Sequence, residues 1–224
     1  MLSCSSCIIS VAARSSRLSR AQVVEALQEL RTFFPEIEFA PSWVATTGDC
    51  DLTISLRHLD KTDVFTREID QMLLKKECRI AIHSAKDLPE PLPDGLHVVA
   101  LTKGVDTSDS LVFRDGQTLR DLPEDASIGV SCLRREEAVK KILPKARCSD
   151  IRGPVDQRLS QLEKGNFDAI VVAEAALIRL GLAHIARIRL EGPVAPMQGR
   201  LAIVARKDDG EMQELFACMD EGEI

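Results

Sequence analysis

The run Arg79-Ile80-Ala81-Ile82-His83-Ser84-Ala85-Lys86-Asp87-Leu88-Pro89 decides how this chain is built. Its first five residues read as a buried strand: short, apolar and β-branched at alternate positions. The stretch from Asp87 to Gly95 then carries three prolines. Proline lacks the amide proton and its ring clashes with the preceding turn, so no helix continues there and the stretch reads as a loop. A buried strand that ends abruptly in Ser84, Lys86 and Asp87 delivers polar side chains to one edge of a sheet.

The same punctuation recurs outward from this point. Cys7 to Ala13 is an apolar run that ends at Arg14 and Ser15-Ser16. A helix follows from about Leu18 to Phe34, with Val23, Leu27, Leu30 and Phe34 on one face and Pro35 as its stop. Ile37 to Val44 reads as a strand, followed by the polar turn Thr46-Thr47-Gly48-Asp49. Val64 to Lys75 is a helix, and Leu96 to Leu101 a strand. Further on, Ser127 to Val130 is a strand, Leu133 to Leu143 a helix, Ala146 to Ile151 a strand and Pro154 to Lys164 a helix. Phe167 to Ala173 is a continuous apolar strand, Ala175 to Leu180 a helix, Leu201 to Ala205 a strand and Met212 to Met219 a last helix. Strand-helix alternation predicts an α/β protein with parallel sheets, whose ligands sit at the carboxyl ends of the strands.

Bulk properties narrow the functional classes. The chain has 224 residues, which favours two domains over one. A formal net charge of -6 argues against a broad nucleic-acid-binding surface, so any anion site is a local cluster of arginines. The 7 cysteines are odd in number and irregularly spaced, which fits reduced thiols in a cytoplasm better than a disulfide framework. Cys4 and Cys7 form a C-x-x-C without a second ligand pair, and no metal site is expected. No apolar run has the length of a membrane span, so a soluble protein is expected, with a monomer as the default.

Charged residues gather after the strands. Arg14 and Ser16 follow the first, Lys86 and Asp87 follow Arg79 to His83, and Ser131, Arg134 and Arg135 follow Ser127 to Val130. Arg152 follows Ala146 to Ile151, with Arg158 in the next helix and Arg179 beyond the following strand. Ser131 is placed to cap the helix that begins near Leu133. Two arginines in a first helical turn oppose the helix dipole, which points to an anion nearby; a solvated turn relieved by Glu136 and Glu137 is the plainer reading. Guanidinium groups match carboxylates and phosphates in fork geometry. Asp87 either orders a turn beside Lys86 or stands as a lone carboxylate in an arginine-rich cleft, able to stabilise a cation and pass protons. His83 reads as a packed or hydrogen-bonded core residue rather than a catalytic one.

These segments together resemble the hydroxymethylbilane synthase (porphobilinogen deaminase) family along nearly the whole chain. The resemblance lies in A-A-R-S-S around Arg14, T-T-G-D ending at Asp49, F-T-R-E-I-D from Phe65, A-I-H-S-A-K-D-L-P around Asp87 and G-V-S-C-L-R-R around Arg135. It continues in D-I-R-G-P-V-D-Q-R-L from Asp150, G-N-F-D-A-I-V-V-A from Gly165, L-I-R-L-G-L around Arg179 and the Gln198-Gly199 pair.

The resemblance implies two domains like those of type II periplasmic binding proteins, joined by two crossover segments. Residues 1–102 plus 197–224 would form the first, with the Asp87 loop, and residues 103–196 the arginine-rich second. It implies a transferase that condenses four porphobilinogen molecules into linear hydroxymethylbilane in heme biosynthesis, releasing ammonia each time, on a dipyrromethane cofactor. Asp87 would be catalytic, and Arg14, Ser16, Lys86, Ser131, Arg134, Arg135, Arg152, Arg158, Arg179 and Gln198 would hold the cofactor and substrate. The family's third domain, with its attachment cysteine, has no counterpart in these 224 residues. Pro154 replaces the usual Asn, Cys132 replaces a small hydroxyl residue, and the loop before Phe65 reads Arg57-His-Leu-Asp-Lys-Thr-Asp63 instead of a glycine-rich segment. Cys132 is then the candidate thiol for covalent attachment. The alternative is a protein that binds tetrapyrrole precursors or other poly-acids without turnover, or more generally a solute-binding domain. No nucleic acid or membrane partner is expected.

Overall fold

A computed structural model describes residues 8–53, 55 and 61–222. Cys4, Cys7 and residues 57–60 of the loop before Phe65 lie outside that range. Among the described residues, 8–50, 61–104 and 200–222 form one compact unit, and 51–53, 55 and 105–199 form the other.

The chain starts unit 1 with β1 (Ile8–Arg14), α1 (Arg17–Phe33), β2 (Glu38–Val44), α2 (Thr47–Cys50), α3 (Arg67–Leu74), β3 (Ile80–Ser84) and β4 (Leu96–Leu101). It then builds unit 2 from β5 (Asp109–Phe113), β6 (Ser127–Val130), α4 (Leu133–Ile142), β7 (Arg147–Asp150), α5 (Val155–Glu163), β8 (Ala169–Ala173), α6 (Glu174–Arg179) and β9 (Arg187–Leu190). It finishes in unit 1 with β10 (Leu201–Arg206) and α7 (Gly210–Phe216).

Each unit carries a five-stranded sheet, ordered β2-β1-β3-β10-β4 in unit 1 and β7-β6-β8-β5-β9 in unit 2. The expected parallel sheets are corrected to mixed ones: β10 runs antiparallel to β3 and β4, and β5 runs antiparallel to β8 and β9. The reason is where the chain enters. β4 leaves unit 1 at Leu101, and β10 comes in with Ala202 paired to that same residue. A strand that starts at its neighbours' carboxyl ends has to run against them. In unit 2, β5 likewise starts with Asp109 opposite Ala173 and Leu190, the last residues of β8 and β9.

Sequence reasoning assigned no strand to β5 or β9. In β5 all five residues are buried, but Asp109 and Ser110 break its apolar pattern. In β9 two arginines alternate with Ile188 and Leu190 over only four residues, too short a run for periodicity to register.

The elements form for local reasons. Ser16 caps α1, its Oγ accepting from the Ser19 amide at 3.2 Å. Val23, Ala26, Leu27 and Leu30 recur at helical spacing and are buried against the sheet, in a core with Val11, Ile80, Ile82, Ile203 and Phe216. Full burial of each large apolar side chain contributes about 1.5–3 kcal/mol. Unit 2 packs the corresponding core from Leu111, Ile128, Val130, Val139 and Val171. Two glycines are required by close approach. A Cβ on Gly48 would lie 2.4 Å from the Phe65 ring, and one on Gly199, whose φ is +88°, would lie 2.3 Å from the Asp106 carbonyl oxygen.

Candidate active site

In unit 1, charged and polar side chains collect at the carboxyl ends of β1, β2 and β3. Arg14 closes β1 and forms a two-pronged ion pair with Asp49 of α2, its Nε donating to Oδ2 at 3.1 Å and its Nη2 to Oδ1. Asp49 also accepts from the amide and hydroxyl of Thr46, at 3.2 and 2.9 Å. Burial works to raise the Asp49 carboxyl, but these hydrogen bonds and the Arg14 charge outweigh it and hold the pKa below the ordinary value. The other face of Arg14 lies over the Phe65 ring, 4.3 Å from its centroid, a stacking that further fixes the guanidinium.

Asp87 ends the single 3-10 turn, Ala85–Asp87, that follows β3. It is half-buried, lines one cavity with Arg14, Ser19, Gln22, Phe65, Thr66, Ile82, His83 and Ser84, and its carboxylate has no hydrogen-bond partner among the described residues. Lys86 is half-buried in the same turn. His83 is buried, and burial first, the Arg14 charge second, push its pKa down to about 4. It is a neutral imidazole packed in the core, as its position in the strand led us to expect.

In unit 2 the organising group is one that sequence reasoning missed, Asp109 at the start of β5. It is buried and accepts from Arg135 Nε and Nη2 at 3.1 and 2.7 Å, Arg134 Nη1 at 2.5 Å and Gln198 Nε2 at 3.0 Å. Burial raises its pKa, but the charges and hydrogen bonds of Arg135 and then Arg134 win and bring it to about 2. The available signal was Asp-Ser opening an otherwise apolar run, a buried charge that demands a partner. Ser131 does not cap α4: the cap position falls to Cys132, without a side-chain hydrogen bond, and Ser131 Oγ accepts from Arg135 Nη1 at 2.8 Å. The correction has a simple cause, since the Arg135 guanidinium is a stronger donor than a helix amide.

The structure therefore brings Ser131, Arg134, Arg135 and Gln198 together around Asp109. Arg135 is buried and directed inward. Arg134 is part-exposed, and its Nε and Nη2 have no partner among the described residues. Arg152, Arg158 and Arg179 are each half-buried and anchored separately to backbone carbonyls: Arg152 to Asp51 at 3.2 Å, Arg158 to Gly153 at 2.7 Å and Arg179 to Gly199 at 2.9 Å. Ser16 spends its hydroxyl on capping α1. Cys132 is half-buried with a free thiol. Among the described residues, no cluster of side chains is arranged to hold a metal ion and no helix is long and apolar enough to cross a membrane.

Two sheets of identical strand order, each with the antiparallel strand second from one edge, define the class: the fold of the type II periplasmic binding proteins. An ancestral amino acid-binding protein, described as a precursor of cyclohexadienyl dehydratase, matches 95% of this chain and 87% of its own length with a TM-score of 0.52. An arginine transport periplasmic binding protein from Legionella pneumophila matches 95% of this chain and 92% of its own, also at 0.52. Both are 12% identical in sequence, a likeness of fold alone. Sequence comparison goes further. The model of the porphobilinogen deaminase dipyrromethane cofactor-binding domain matches residues 9–214. A probable porphobilinogen deaminase of Chlamydia pneumoniae is 41% identical over 92% of this chain and 87% of its own length, and the porphobilinogen deaminase of Brevibacillus brevis is 37% identical over 94% and 69%. This chain belongs to the porphobilinogen deaminase family.

Proposed function

We propose that the chain is a working hydroxymethylbilane synthase, which joins four porphobilinogen molecules head to tail and releases ammonia at each addition. The observation that carries this reading is Asp87: a half-buried carboxylate without a hydrogen-bond partner among the described residues, in one cavity with Arg14, whereas Asp49 and Asp109 of the two strand-end clusters are each paired with arginine. Loss of ammonia leaves a cation on the substrate, and an unneutralised carboxylate stabilises that charge where it develops. A protein that only binds poly-acids gains nothing from such a group, since it repels them.

The donor set fits a dipyrromethane. That cofactor carries carboxylates, and Arg134, with two uncommitted nitrogens, is suited to bind one. Arg152, Arg158 and Arg179 are the further candidates to hold it. When bound, the cofactor supplies the pyrrole carbon on which the chain grows. Arg135 and Gln198 act by fixing Asp109 and hence Arg134, and Arg14 and Lys86 contribute positive charge near Asp87. Cys132 is the proposed attachment thiol, and the intact mass of an active preparation decides it: an unmodified mass removes covalent attachment there. Five free cysteines among the described residues suit a reducing cytoplasm, and we take the protein to be a monomer, to be checked by light scattering. Incubation with porphobilinogen tests the whole reading. Ammonia should appear together with uroporphyrin after cyclisation and oxidation, and binding without ammonia would leave only the non-catalytic alternative.

A further inference from the structure

The cavity that Asp87 lines in unit 1 is small. It leaves about 20 Å³ for the centre of a water-sized molecule. It therefore admits a guest of one non-hydrogen atom, such as a water or an ammonia. Its wall is polar and incompletely bonded. His83 is 5% exposed, and its Nε2 has no hydrogen-bond partner among the described residues. Thr66 is fully buried, and its Oγ1 makes no hydrogen bond of ordinary length among the described residues, with the Asp70 carboxyl as its neighbour. A buried polar atom without a partner calls for one, and an ordered water or other small guest supplies it. Ser84 Oγ accepts from Gln22 Nε2 at 2.8 Å and keeps its own proton to give.

We propose that His83 Nε2, with the hydroxyls of Thr66 and Ser84, forms a one-molecule pocket beside Asp87 that receives ammonia as it leaves the substrate, water filling the pocket between turnovers. The inference rests on the deaminase reading and adds the place of the leaving group to it. The substrate's aminomethyl group departs from its protonated form, R–CH2–NH3⁺. The C–N bond breaks with its electron pair going to nitrogen, giving R–CH2⁺ and neutral NH3, and no proton moves in that step. Neutral imidazole with its proton on Nδ1 offers Nε2 as acceptor for an N–H, which aims the amine into the pocket. The freed ammonia can then turn so that its lone pair accepts from the Ser84 hydroxyl, an interaction open only after the bond has broken and one that holds ammonia away from the new cation. A charged imidazole would oppose the new cation. Burial and Arg14 keep His83 neutral.

The test uses the holoenzyme and porphobilinogen. His83→Leu should lower kcat roughly tenfold with KM within about twofold, as expected for one lost hydrogen bond at the leaving group. His83→Gln, which keeps a polar atom, should recover much of it. Ammonium chloride, against potassium chloride at equal ionic strength, should inhibit the wild type and inhibit His83→Leu about tenfold more weakly. Thr66→Val, nearly isosteric, should shift in the same direction and covers the case in which His83→Leu fails to fold. Wild-type kcat and unchanged ammonium inhibition in folded variants would overturn the pocket. Should the wild type fail to turn over porphobilinogen, the deaminase reading falls by itself. A high-resolution crystal structure then judges the pocket separately, and the absence of an ordered atom bonded to Nε2 would sink it.

Discussion

The two units share a strand order and differ in what they leave unpaired. After its third parallel strand, β3, unit 1 presents Asp87 without a hydrogen-bond partner among the described residues. At the corresponding place after β8, unit 2 presents Glu174, buried and fully engaged by Arg187 through Nε and Nη2 and by Ser110 Oγ at 2.5 Å. The Arg187 bonds, ahead of burial, pull the Glu174 pKa below its ordinary value. After the first parallel strand, unit 1 matches one guanidinium to one carboxylate, Arg14 to Asp49, whereas unit 2 sets Arg134 and Arg135 against the single Asp109. One chassis thus yields, among the described residues, a carboxylate without an ion-pair partner in unit 1 and two guanidiniums on one carboxylate in unit 2. On the proposed function, the first serves chemistry through a cation and the second the binding of poly-carboxylates.

This contrast can be broken at Asp87. Asp87→Asn keeps the shape and removes the charge, and should cut kcat by roughly 10²–10³ while leaving the melting temperature in place. Full activity in a folded Asn variant would end the assignment. The counterpart in unit 2 should do the reverse. Glu174→Gln leaves Arg187 without its counter-ion and should lower stability by about 3 kcal/mol in a urea titration, while the folded fraction keeps a near-normal specific rate. A large rate loss with little loss of stability would mean that unit 2 also has a catalytic carboxylate. Arg134→Leu removes the spare positive charge and should weaken cofactor retention by about 1.5–3 kcal/mol, seen as a lower holo fraction after dialysis. Unchanged retention would show that the charge excess of unit 2 is not used on carboxylates.

Two buried groups of unit 1 sharpen the comparison through pH. Asp70 of α3 is buried with both carboxyl oxygens unpartnered among the described residues. Burial raises its pKa to about 6 against the opposing pull of the neighbouring Thr66 hydroxyl, and the negative charges of Asp63 and Glu68 add to the rise. A carboxyl with a folded pKa above its unfolded one stabilises the fold at low pH, and that support fades as pH climbs from near 4 through 6. Asp70→Asn should therefore gain about 1–3 kcal/mol of stability at pH 7 and little at pH 4. His83 has the opposite sign. Its folded pKa of about 4 lies below the unfolded value, so its support is present above pH 6.5 and is lost on acidification toward 4. Melting curves of Asp70→Asn that run parallel to wild type at all pH values would remove Asp70 from this account. The smallest effect is expected at Ser16, where loss of the α1 cap in Ser16→Ala should cost about 1 kcal/mol.

Much of the molecule was legible before any coordinates. Local punctuation located the edges: Pro35 after α1, the three prolines after Asp87, and polar residues at the ends of β1, β3 and β6. Those signals live in consecutive residues, and every strand but β5 and β9, every helix but the short α2, and the family followed from them. Tertiary structure alone decided three other things. It turned β5 and β10 antiparallel, because strand direction depends on where a chain re-enters a sheet and not on the composition of the strand. It gave Ser131 to Arg135 and not to the helix end, because a guanidinium four residues on competes with the amides for one hydroxyl. And it made Asp109 the anchor of unit 2 while leaving Asp87 without a partner among the described residues. Two aspartates near strand ends look alike in a sequence, and what separates them is how many donors the fold brings within hydrogen-bond reach of each.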